Sequence, residues 1–332
     1  MRLIIAFVVF AALGWAGYWW VGARAVETAF ATWLDAREAE GWQAEVASLE
    51  VQGFPNRFDT TLAEPVFADP ETGLAWQAPF VQFLSLSYRP TDVIAVFPNT
   101  QTILTPRGTY TLQTTEMQAS LFLGAEAQLP LRRASLVADA PTLAGTDWQT
   151  QAEVFRMAMY ATEDMVSTYD IGVETRMLTP PASQKKRLDP GNLLPSALEV
   201  LRIDAQVSFD RPWDISALED QRPQPTLIVL REARGEWGDL LLRATGSLEL
   251  DARGLPTGKI DIKAGNWRGM LDVARRSGAL PDRVADLIER GLEGLSALSG
   301  RSDTLDIPLS FEQGQMRIGF IPLGQSGPIL LR

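Results

Sequence analysis

Two short stretches set an arginine and an aromatic ring beside a break in the backbone pattern. They are "GFPNR", Gly53 to Arg57, and "NWRG", Asn266 to Gly269. The first is either a ligand loop or a strand–corner–strand. In the corner reading Gly53 supplies backbone freedom, Pro55 fixes a turn and Asn56 suits a turn position. Phe54 and Phe58 then cover the end of a sheet, and Arg57 pairs locally with Asp59 or Glu64. In the second stretch, Trp267 and Arg268 either stack on a ligand or partner, or Trp267 pins a helix to a sheet. Asn266 is a candidate cap for that helix. Both stretches are read first as fold landmarks.

Carboxylates are the remaining chemistry-bearing groups. The chain holds 41 Asp and Glu, and glycoside hydrolysis needs only two acids at the right separation. "TED" (Thr162 to Asp164) and "LED" (Leu218 to Asp220) lie in expected loops and could supply them. An acidic surface produces such pairs by chance, so no catalytic residue is assigned. The chain has no cysteine and no histidine. Ser-His-Asp and Cys-His catalysis, disulfides, zinc–thiolate sites and iron–sulfur ligation are therefore excluded within this chain. No phosphate loop, dinucleotide fingerprint, nucleophile elbow or calcium-loop spacing is present. The expectation is a protein without catalytic, cofactor-binding or metal-binding residues. A net charge of −11 also makes the body a poor match for a phosphate backbone, so no nucleic acid is expected as a partner.

The elements that position these residues start with the N-terminus. "LIIAFVVFAALGWAGYWWVGA", Leu3 to Ala23, carries no charge. About 20 such residues at 1.5 Å each cross the hydrocarbon core. Trp15, Tyr18, Trp19 and Trp20 gather at its C-terminal end, where amphipathic rings prefer the interface. Arg2 before the span favours a cytoplasmic N-terminus. Residues 1–25 are thus expected to be a signal-anchor in the inner membrane, single-pass, with the body in the periplasm. Ala23-Arg24-Ala25 also fits a cleavage site, which would release the body into the periplasm. Residues 26–41 place Val26, Phe30, Trp33 and Arg37 at helical spacing, with Gly41 as a stop.

From Trp42 the apolar period switches to two. One long strand is expected from Trp76 to Tyr88, with Trp76, Ala78, Phe80, Leu84, Leu86 and Tyr88 on one face and Val81 and Phe83 on the other. "LRIDAQVSFD" alternates most clearly, with Leu201, Ile203, Ala205, Val207 and Phe209 on one side. The expected fold is mainly β with a few helices (α+β): antiparallel meanders, curved or rolled, one face dry and one wet. Residues 42–180 and 196–332 form two meander halves around a loop at 181–195. Helices near the C-terminus, including one over Leu280 to Gly300, cover the sheet.

The order of landmarks resembles a known family. It runs anchor, helix, "V-x-GFPNRFD", meanders, "GLPTGKIDIKAGNWRGMLDVA" and "DIPLSFEQGQMRIGFIPLG". The family comprises alphaproteobacterial envelope proteins catalogued as a domain of unknown function, number 2125 in its series. Gly53-Phe54-Pro55 with Arg57 and the tail from Ile321 to Ile329 carry the resemblance best. It implies the architecture and no activity. An anchor followed by curved meanders is also similar, by architecture alone, to AsmA-type envelope proteins associated with lipid movement and outer-membrane assembly. The expected function is non-catalytic: lipid handling or envelope assembly through an apolar sheet face. A membrane-tethered scaffold that binds an envelope protein, and a carboxylate hydrolase, are the alternatives.

Overall fold

The computed structural model describes residues 1–219, 222–278, 286, 289, 304–319 and 321–331. The chain is mainly antiparallel β with a long apolar N-terminal helix, and it divides into two compact units. Unit 1 comprises Met1–Ala125 and Ala134–Asp147; unit 2 comprises Glu126–Arg133 and Trp148–Arg332.

Unit 1 opens with helix α1 (Arg2–Ala39). Strands follow: β1 (Gln43–Glu45), β2 (Ser48–Gln52), β3 (Arg57–Ala63), β4 (Val66–Asp69), β5 (Leu74–Gln77), β6 (Phe80–Leu86), β7 (Arg89–Phe97) and β8 (Thr100–Thr105). The unit ends with β9 (Gly108–Gln113), β10 (Glu116–Leu123), most of β11 (Leu131–Asp139) and β12 (Thr142–Ala144). One of its sheets runs in the order β2-β3-β6-β7-β10-β11 and the other β1-β4-β5-β8-β9-β12. The chain passes from sheet to sheet through two-residue bends at Glu64–Pro65, Ala78–Pro79, Pro98–Asn99, Thr114–Thr115 and Ala140–Pro141. Proline has no N–H to give a ladder, so it suits a place where pairing must stop. The bends are tied to one another: the amides of Glu64, Thr114 and Thr115 donate to the carbonyls of Pro79, Asn99 and Asp139, each at 2.9 Å.

One of these bends overturns the expected long strand from Trp76 to Tyr88. It breaks at Ala78–Pro79, and the alternation restarts beyond. Register places Leu62 opposite Val81 and Thr60 opposite Phe83, on the side where Phe58, Thr60, Leu62 and Val81 are buried. Val81 and Phe83, not Phe80 and Leu84, therefore face the core. α1 lies on that side. Phe30 meets Phe83 with ring centroids 5.2 Å apart, and Trp33 meets Phe67 edge-on at 5.6 Å. The span and residues 26–39 form one unbroken helix, which is followed by the cap Glu40 and by Gly41 at φ +88°.

Unit 2 contains β13 (Gln149–Gln151), β14 (Val154–Ala161), β15 (Thr168–Leu178), α2 (Ala182–Leu188), β16 (Leu198–Phe209) and α3 (Ser216–Glu219). Then come β17 (Pro225–Trp237), β18 (Leu240–Leu250), β19 (Pro256–Gly265), α4 (Trp267–Arg276), β20 (Thr304–Glu312), β21 (Gln315–Ile318) and β22 (Ile321–Gln325). From β14 to β22 each strand pairs with the next, in a plain antiparallel meander. Residues opposite one another share a face. One row reads Met157, Val173, Ile203, Ala233, Ala244, Ile262, Ile307. The adjacent row on the other face reads Glu174, Arg202, Arg234, Arg243, Lys263, Asp306. Period-two sequence thus becomes one apolar and one charged surface.

The stretch 181–195, expected as a loop between halves, lies inside unit 2 and carries α2. It is fastened by Asp189, whose side chain is 1% exposed. Asp189 accepts from Lys185 Nζ at 2.5 Å and from the amides of Leu193 and Leu194 at 2.9 and 2.8 Å. Burial pushes this carboxyl up, but those hydrogen bonds and the Lys185 charge prevail and hold it below its ordinary value. At the other end of the sheet Tyr169, buried between strands, meets Phe209 edge-on at 5.8 Å and accepts from the Trp213 amide at 2.9 Å. The expected helix over Leu280 to Gly300 lies outside the described residues.

Candidate functional site: a corner held by the N-terminal helix

The "GFPNR" stretch is the turn between β2 and β3. Gln52 faces Asp59 across it, and the Arg57 amide closes it on the Gly53 carbonyl at 2.9 Å. Gly53 sits at φ +101°, and a Cβ there would come 2.9 Å from Arg57, so only glycine fits. Phe54–Pro55 is cis. Arg57 Nε pairs with Asp59 Oδ1 at 2.9 Å.

What lies against the corner is α1. Trp15 Nε1 donates to the Pro55 carbonyl at 2.9 Å and Trp19 Nε1 to the Arg57 carbonyl at 2.7 Å. Tyr18 Oη donates to the Ser87 carbonyl at 2.5 Å, and the Ser87 amide donates to Asn56. Trp19 packs on both phenylalanines, edge-on to Phe54 at 5.5 Å and tilted to Phe58 at 6.2 Å. Gly22 completes the stripe: a Cβ at that position would meet the Phe58 ring at 2.5 Å. The spacing 15, 18, 19, 22 is one helix face. The sequence therefore contained the signal, as three rings bearing polar hydrogens and one glycine on a single stripe. Their partners, roughly 40 to 70 residues away in the chain, were not legible.

Beside the corner, α1 and β2 enclose a groove of about 370 Å³. Trp19, Trp20, Arg24 and Glu27 line one wall, and Leu49, Val51 and Gln52 the other. Arg24 bridges to Glu27 at 2.9 Å and lies 5.9 Å from the Trp20 ring centroid.

In unit 2 the "NWRG" stretch joins β19 to α4. Asn266 Oδ1 accepts from the Gly269 amide at 3.1 Å and caps the helix. Trp267 is buried with Ala264, Leu271 and Leu305, with Met270 and Ile307 packed around them. Arg268 lies outside, its guanidinium 4.4 Å from the Trp267 ring centroid. The contacts at this stretch are those of a packed helix start. α4 covers only one end of the apolar face. Leu242, opposite Ala264, is 45% exposed, and farther along the face Met157 and Ile203 are 43% and 48% exposed.

Of the carboxylate pairs, Glu163 and Asp164 stand exposed in the turn before β15. Asp220 lies outside the described residues. Among the described residues no cluster of three or more carboxylates is placed to hold a metal ion.

A family model described as "Uncharacterized protein conserved in bacteria (DUF2125)" matches residues 19–326. The chain belongs to that family. No curated protein and no solved structure matches. In this DUF2125 member the match begins at Trp19, one of the rings bound to the corner, and it includes the corner, the capped helix α4 and the meander of unit 2. α1 is the one helix among the described residues long and apolar enough to cross a membrane.

Proposed function

We propose that this is a non-catalytic, single-pass inner-membrane protein whose β-rich body lies in the periplasm and handles lipid through the apolar face of unit 2. The observation that carries this reading is the register-aligned apolar surface on β14 to β20. Its ends are packed, by Trp267 and Leu271 on one side and by Tyr169, Val207 and Phe209 on the other. Between them Met157 and Ile203 are 43% and 48% exposed, and Leu242 beside the α4 cluster is 45% exposed. Half-exposed branched and thioether side chains on a pleated surface suit acyl chains, which need area and no hydrogen bonds. In α1, Leu3, Phe7, Phe10 and Leu13 are 86%, 72%, 79% and 67% exposed. An apolar helical segment without protein cover is at home in hydrocarbon. That supports the anchor, and with Arg2 before the span it supports a periplasmic body.

The test is native mass spectrometry and lipid extraction of the full chain taken from membranes in a non-denaturing detergent. Stoichiometric lipid, lost in Ile203→Asp without a change in the melting transition, is expected. A lipid-free chain that crosslinks to an envelope protein would replace this reading with the tethered scaffold.

A further inference from the structure

We infer that the Gly53–Arg57 corner and the adjoining Ser87–Tyr88 turn dip into the membrane beside α1, as a second point of contact with the bilayer. The inference rests on the reading of α1 as a spanning helix. At 1.5 Å per residue, the apolar run from Leu3 to Ala23 is about 30 Å long, the thickness of a hydrocarbon core. Trp15 and Trp19 lie eight and four residues before its end, or about 12 and 6 Å below it. The hydrogen bonds from these two rings and from Tyr18 fix the corner at that depth. A body docked there cannot stand clear of the lipid if the run is in it.

Most carbonyls of the corner are bound within the protein. Non-helical backbone at membrane depth survives only where protein supplies its hydrogen bonds. Here five carbonyls are satisfied. Gly53 accepts from the Arg57 amide and Asn56 from the Ser87 amide. Pro55, Arg57 and Ser87 accept from the polar hydrogens of Trp15, Trp19 and Tyr18. Pro55 has no N–H to satisfy. Trp and Tyr side chains, which elsewhere turn their polar ends to the headgroups, spend them here on the corner. The outward side chains include Phe54, 58% exposed, Tyr88, 59%, and Leu86, 38%, with Asn56 exposed at the tip. Arg57 is paired with Asp59 and reaches outward, where a headgroup can solvate the pair.

The absence of cysteine from the chain makes site-directed spin labelling clean. The full chain would be reconstituted into nanodiscs of phosphatidylethanolamine and phosphatidylglycerol, carrying one of Phe54→Cys, Tyr88→Cys, Phe10→Cys or Glu71→Cys. Glu71 follows Pro70, which lies beside Gly41 past the far end of α1, and serves as the aqueous reference. The readout is collision with oxygen relative to collision with a water-soluble nickel complex. The ratio is expected to be severalfold higher at Phe54→Cys and Tyr88→Cys than at Glu71→Cys, and highest at Phe10→Cys. If both corner labels match Glu71→Cys while Phe10→Cys stays high, the helix spans and the corner inference is overturned. If Phe10→Cys also matches Glu71→Cys, the spanning reading fails and takes the inference with it. Tyr88→Cys keeps the test alive should loss of the Phe54 ring unfold the corner.

Discussion

The two units bury their apolar faces differently. In unit 1 the face bearing Phe58, Thr60, Leu62, Val81 and Phe83 is covered by α1, which reaches it through Trp19, Gly22 and Phe30. Among the described residues of unit 2, α4 packs one end of the equivalent face, Tyr169, Val207 and Phe209 are buried at the other, and Met157 and Ile203 are 43% and 48% exposed. Both were built from the same period-two code. In unit 1 the cover is the long helix α1, and among the described residues of unit 2 it is the shorter α4. In unit 1 the cover and the anchor are one continuous helix, so core packing and membrane attachment are mechanically joined.

The sharpest way to break this comparison is to remove a ring from the covered face. Phe58→Ala is expected to cost about 3–5 kcal/mol, as for a buried aromatic, read as a lower denaturation midpoint of the full chain in detergent. Next in size is Asp189, which ties down α2 in unit 2. Asp189→Ala removes one acceptor of Lys185 and the acceptor of the Leu193 and Leu194 amides, and should cost about 1–3 kcal/mol. The folded carboxyl titrates below its unfolded value of about 3.9. Its contribution is therefore fully present above that pH and lost as pH falls through the folded pKa. The wild-type chain should lose this increment on acidification below about pH 4, and the variant should not; thermal melts across that range decide it.

Gly22→Ala drives a methyl into the Phe58 ring and should cost about 1–3 kcal/mol as overpacking. Gly14→Ala, with nothing within 4 Å of its Cβ position, should be neutral or slightly stabilising. Equal effects at the two glycines, measured by protease resistance of unit 1, would show that α1 does not seat as described. The smallest effect is predicted on the open face. Ile203→Ser should change stability by about 0.5 kcal/mol or less, as at a half-exposed surface site, while lowering lipid carried through purification. A large loss of stability there would mean that the face is core after all.

Much of this was legible in the residues. The alternation in "LRIDAQVSFD" gave β16, with Ala205, Val207 and Phe209 buried. Trp267 is buried against both near residues, Ala264 and Leu271, and the distant Leu305, whereas Asn266 resolves into a cap because its partner Gly269 is a near neighbour in sequence. The Arg57–Asp59 pair lies two residues apart and was anticipated for the same reason. The long strand over Trp76 to Tyr88 was misread because a two-residue bend at Ala78–Pro79 restarts the alternation. Alternation identifies a strand but not where its phase resets. The 181–195 stretch looked like a loop because Pro, Gly and Lys dominate it. A single buried carboxylate, invisible to composition, turns it into fixed structure.

By itself the sequence determined the classes of chemistry absent from this chain, the apolar N-terminal run, the β-rich body and the corner at Gly53. All of these depend on residue type or on spacing within a few positions. Tertiary structure alone decided that the corner's carbonyls are bound by the rings of the anchor helix, and that Phe58, Leu62 and Val81 are buried under α1 while Met157 and Ile203 stay partly exposed. Those outcomes depend on groups dozens of residues apart being brought within hydrogen-bond or van der Waals range. No local pattern encodes that distance.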